Sequence, residues 1–68
     1  MQNQVKVLRE AHGLTQEDLA QAVHVTSRTI ISLEKSKYRP SIELAYRLAR
    51  FFGTDIESLF CLSDNFPE

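Results

Sequence analysis

A chain of 68 residues is one domain at most, and its single cysteine leaves neither an intramolecular disulfide nor a Cys/His zinc framework to hold it. So short a chain buries only about 60% of the surface that its unfolded form exposes, which excludes a deep pocket with its own supporting shell and makes a second copy the expected staple. The 43% hydrophobic and 25% charged content is that of a folded domain, and the formal net charge of −1 hides an uneven distribution.

The pattern predicts five short helices and too little β-branched alternation for a sheet. The first covers about Asn3–His12, with Val5 and Leu8 inward and Gly13 as the stop. Thr15 caps the second, Asp18 stands at the capping-box position, and Leu14 with Leu19 makes a hydrophobic staple. Thr26 caps the third, stapled by Val25 and Ile30. Ile30 and Leu33 point inward, and Ser27, Arg28, Thr29 and Ser32 are left toward solvent. Pro40 blocks continuation and Ser41 caps the fourth helix, whose apolar positions Ile42, Ala45, Leu48, Ala49 and Phe52 follow the helical period up to Gly53. Thr54 or Asp55 caps the fifth, bearing Ile56, Leu59 and Phe60. The stretch from Cys61 to Glu68, with Pro67 near its end, lacks helical periodicity.

Only His24 to Thr26 separate the second and third helices, which is helix-turn-helix spacing over about residues 15–36. The major groove admits one helix, but a free helix of two turns is marginal in water, so a second must brace it. Small hydroxyls at Ser27, Thr29 and Ser32 allow close approach, and Arg28 can reach guanine with two hydrogen bonds. Around this helix mouth, Lys35, Lys37, Arg39, Arg47 and Arg50 face only Glu43, while residues 51–68 carry acids and no base. Lys35, Lys37, Tyr38 and Arg39 are therefore candidates for phosphate contact, with Gln16 as a neutral donor at the start of the second helix. The N-termini of the second and fourth helices offer backbone N–H groups to the same phosphates. Taken singly, each of these residues is also an ordinary solvated surface residue. Their convergence at one helix mouth carries the reading.

The run Leu8-Arg9, Gly13 to Ala20, Val25 to Glu34, Pro40-Ser41, Leu48-Ala49 and Phe52-Gly53 resembles the Cro/repressor helix-turn-helix family. With the Lys37–Ser41 loop, it is most similar to short stand-alone members like the cytolysin repressor. The resemblance covers nearly the whole chain. It implies an all-α, five-helix DNA-binding domain acting as a homodimer on a palindromic operator of double-stranded DNA. It also implies that Gln16 clamps phosphate, that Ser27, Arg28 and Ser32 face bases, and that Arg9 pairs with Glu34 to tie helix one to helix three. His24 and Ser36 stand where the family often has glycine.

The two histidines and Cys61 have no metal-ligand spacing, and nothing marks a nucleophile or an oxyanion site, so neither metal, cofactor, small-molecule ligand nor enzymatic activity is expected. With no secretory segment and no apolar run near ~18 residues, a cytoplasmic regulator is expected, repressing by occlusion for want of a separate effector domain. A helical protein–protein module without DNA binding is the rival, and an antitoxin or controller protein is a variant within the DNA-binding class. The dimer seam is expected in about residues 56–66, where Leu59, Phe60, Cys61 and Leu62 lie too near the terminus to be covered by one chain. Phe60 and Leu62 could share one face of a short strand there, with Cys61 on the other. The competing arrangements are the fifth helix packing on its twin, and a monomer that folds these side chains onto its own fourth helix.

Overall fold

The computed structural model describes residues 2–66. Among them are six helices and no strand: α1 (Val5–Ala11), α2 (Gln16–Ala22), α3 (Ser27–Glu34), α4 (Ile42–Phe52), α5 (Ile56–Leu59) and α6 (Leu62–Asn65). Short polar side chains start three of them. The Asp18 amide donates to Thr15 Oγ1 and the Thr15 amide to Asp18 Oδ2, both at 3.0 Å, completing a capping box. Ser41 Oγ accepts from the Leu44 amide, and Asp55 Oδ1 from the Ser58 amide. These hydrogen bonds, first among them those from the Thr15 and Ser58 amides, hold the Asp18 and Asp55 carboxyls below the usual range. Thr26 sits at the α3 N-cap position but makes no side-chain cap, and its hydroxyl instead meets that of Thr29 at 3.2 Å.

The first four helices end alike. Gly13, His24, Ser36 and Gly53 all have φ between 61° and 70°. The residue after each donates its amide five residues back: Leu14 to Arg9, Val25 to Ala20, Lys37 to Ser32 and Thr54 to Ala49. This left-handed closure satisfies helix-end carbonyls and reverses the chain within one residue. At His24 it makes the turn between α2 and α3. An L side chain there is strained, and histidine is among the more tolerant.

The buried stripe of α2 (Leu19, Ala20, Val23) meets Ile30 and Leu33 of α3, with Val5 of α1 and Leu48 of α4 closing the core. Asn3 fastens α1 to α3, accepting from the Val5 amide and donating Nδ2 to the Leu33 carbonyl at 2.8 Å. The His12 ring stands edge-on to Phe52 at 5.2 Å, joining the end of α1 to α4.

Two expectations are corrected. Ile42 is 83% exposed, and Leu44 takes the buried place. The α4 stripe centres between Leu48 and Phe52, and Ile42 lies ~90° to one side at 100° per residue. The short strand at 60–62 is absent: Cys61 is left-handed at φ 51°, and α6 follows. A lone strand would leave backbone groups unpaired, whereas here the Asp64 and Asn65 amides donate to the Cys61 carbonyl and Asn65 Nδ2 caps Phe60 O at 2.6 Å. Leu59 and Phe60 are each 1% exposed within one chain and belong to its core, while Cys61 and Leu62 are half-buried. Pro67 and Glu68 lie outside the described residues.

Candidate nucleic-acid interface

The α2–α3 pair presents the start of α3 to solvent. Ser27 and Arg28 are exposed there, and Arg28 makes no ion pair among the described residues. Thr29 and Ser32 are half-buried on the same helix, and the Thr29 hydroxyl is engaged by Thr26. Ser27 and Arg28 are thus the outermost of the four expected base-reading side chains. Lys35, Lys37, Tyr38 and Arg39 follow α3 on an exposed segment. The Arg39 guanidinium stands 5.4 Å over the Phe66 ring, a stacking contact that ties this loop to the end of the chain.

Arg9 and Glu34 meet across α1 and α3. Arg9 Nε lies 2.6 Å from Glu34 Oε2 and Nη2 lies 3.2 Å from Oε1, with side chains 11% and 5% exposed. Arg9 Nη1 also donates to the Leu14 carbonyl at 2.8 Å, fixing the entry to α2. The Glu34 hydrogen bond, with its charge, raises the Arg9 guanidinium above its ordinary value against the opposing cost of burial. Gln16 joins this pair: its Nε2 donates to Glu34 Oε1 at 3.1 Å. These three side chains line a surface cleft whose lining also includes Lys6 and Lys35. Charge patterning does not single out Lys6, which stands in the acid-rich first half of the chain. Its place three residues before Arg9 on a helix is the signal that points to it.

The basic segment divides between two faces. Arg47 and Arg50 line a separate groove with His24, Tyr46 and Phe51. There Arg47 pairs with Glu43, and the Arg50 guanidinium stands 5.8 Å over the Tyr46 ring. No helix among the described residues is long and apolar enough to cross a membrane.

A family model described as helix-turn-helix matches residues 5–59. An uncharacterized HTH-type transcriptional regulator of Methanocaldococcus jannaschii is 49% identical over 65 residues, which cover 96% of this chain and 98% of that protein. One from Bacillus subtilis is 39% identical over 94% of this chain and 97% of its own length. The cryptic phage CTXphi transcriptional repressor RstR of Vibrio cholerae is 32% identical over 84% of this chain and 51% of its own length.

Proposed function

The chain belongs to the Cro/repressor-type helix-turn-helix family of DNA-binding transcriptional regulators, and from that premise we propose that it is a sequence-specific repressor binding a palindromic operator as a homodimer. The observation that carries the reading is the exposed start of α3, where Ser27 and Arg28 stand clear of the core beside the Lys35–Arg39 segment. Likeness to a phage repressor supports repression, which the bound domain would exert by occluding a promoter.

Selection of bound sites from random duplex DNA tests it. A palindrome is the expected outcome, and no enrichment would favour the protein–protein module. Within that assay, Arg28→Ala should cost ~1–3 kcal/mol and relax preference at one operator position. Lys37→Ala should weaken all sequences alike and lower the salt slope by about 1. If Arg28→Ala leaves the selected site unchanged, Arg28 does not read bases.

With Leu59 and Phe60 in the core, the seam moves to the apolar groove beside them. Pro40, Ile42, Ala45, Ile56 and Leu62 line it, and Ile42 stands in solvent. Its basic rim at Arg39 and the acidic tail at Glu57 and Asp64 suit a second copy, since a two-fold axis brings one copy's rim to the other's tail. Two copies would also set their α3 helices at half-sites ~34 Å apart. Ile42→Glu should therefore keep the helical circular dichroism and give a monomer in sedimentation, with a melting temperature that no longer rises with protein concentration. Affinity for the two-half-site operator should fall about a hundredfold. An intact chain that sediments as a monomer at tens of micromolar would refute the seam.

A further inference from the structure

Gln16 is not a loose donor at the surface. Its Nε2 is held at 3.1 Å by Glu34 Oε1, the same oxygen that accepts Arg9 Nη2 at 3.2 Å. Glu34 is 5% exposed and fixed from the other side by Arg9 Nε, so its Oε1 is a stationary acceptor. A primary amide carries two N–H groups. With one spent on Glu34, the other has a set direction, and the rotamer freedom that a long side chain loses on binding is already lost. A carboxylate this close would ordinarily repel a phosphate. Here the Arg9 guanidinium neutralises it, and Lys6 and Lys35, which line the same cleft, add positive charge.

We propose that Glu34 is a positioning residue for DNA binding: through Oε1 it orients the Gln16 amide toward a backbone phosphate, in addition to bracing Arg9. This rests on the DNA-binding reading above. It makes the Arg9–Glu34–Gln16 chain one unit, with the ion pair as its anchor and the amide as its contact. Arg9 therefore acts on DNA through Glu34.

Removing Glu34 alone leaves Arg9 buried and unpaired, so the test replaces the pair. Arg9→Met with Glu34→Met exchanges the ion pair for apolar side chains of similar length, a change that small domains tolerate. Gln16→Met is then made in the native chain and in that background. Affinity is read by fluorescence anisotropy on a short random-sequence duplex at low salt, because a phosphate contact needs no particular sequence. In the native chain Gln16→Met should weaken binding about tenfold, as for one charge-assisted hydrogen bond. In the paired-methionine background it should do almost nothing. An equal loss in both backgrounds would overturn the positioning role and leave the DNA-binding reading intact. A native chain that binds no duplex would overturn both. The side-chain amide of Gln16 gives a second readout by NMR in the native protein. One Nε2 proton should exchange slowly with water, and only the other should shift on adding duplex. Two protons exchanging equally fast would overturn the proposal whatever the variants do.

Discussion

Phe60→Ala should leave the chain mostly unfolded at room temperature. Phe60 is 1% exposed, and it packs in the cluster that also holds Leu48 and Leu59. Truncating a buried phenylalanine to alanine costs ~3–5 kcal/mol, the lost transfer free energy plus the cavity. A core of this size supplies ~3–5 kcal/mol in all, so one side chain spans the whole margin. The alternative in which Phe60 lies at a dimer seam makes a different prediction. The variant would then keep its helical circular dichroism, and only its association would fail. Urea unfolding followed by far-UV circular dichroism separates the two. A Phe60→Ala chain that melts with a native-like midpoint, independent of protein concentration, would show that Phe60 carries no core load. By the same reasoning, truncation after Leu59 should unfold the chain instead of releasing a folded monomer. It removes Phe60 together with Asn65, whose amide caps the Phe60 carbonyl.

The burial of Phe60 also marks where sequence patterns stop being informative. Helix starts are local, because a cap and its staple lie within five residues. Thr15 with Asp18 and Ser41 are where the pattern puts them, and Asp55 is one of the two caps it offers for the fifth helix. Helix ends are legible where glycine marks them, at Gly13 and Gly53, and at His24 and Ser36 only through likeness to a family that often has glycine there. At Cys61 nothing in the residue announces φ 51°, so the pattern suggests a short strand and no helix there, and the Asn65 hydrogen bonds hold a helical turn instead. Burial near a terminus is not local at all. The Gln4 amide donates to the Leu59 carbonyl at 2.8 Å, bringing the two ends of the chain together over the core, and no spacing rule foretells that. The site divides likewise. Ser27 and Arg28 follow from the position of the turn, whereas the engagement of Gln16 by Glu34 spans 18 residues and two helices. The phase of α4 shows the limit of periodicity: five apolar positions fit one stripe, yet Ile42 in the first turn stands in solvent.

Removing either partner of the Arg9–Glu34 pair should cost ~3–5 kcal/mol, because each leaves the other charged and nearly buried. The side chains are 11% and 5% exposed, and the loss reaches further than the pair. Without Arg9 the Leu14 carbonyl loses its guanidinium donor, and without Glu34 the Gln16 amide loses its acceptor. Arg9→Ala and Glu34→Ala together should therefore destabilise by less than the sum of the two single changes. The shortfall is the coupling energy, ~1–3 kcal/mol for partners in one network. The Glu43–Arg47 pair on α4 is the internal control. Its side chains are 69% and 41% exposed, so losing either should cost less than ~1 kcal/mol. Salt distinguishes them further. At 1 M ionic strength the Debye length shrinks to about 3 Å, which should erase the contribution of the α4 pair and leave most of the Arg9–Glu34 cost in place. Urea midpoints for the four Ala variants and the double variant, at low and high salt and with an osmolyte raising every stability so that the weakest variants still fold, check all of this. A coupling energy near zero between Arg9 and Glu34 would mean that α1 and α3 are held by Asn3 and the apolar core alone, and that the charges add nothing to the fold.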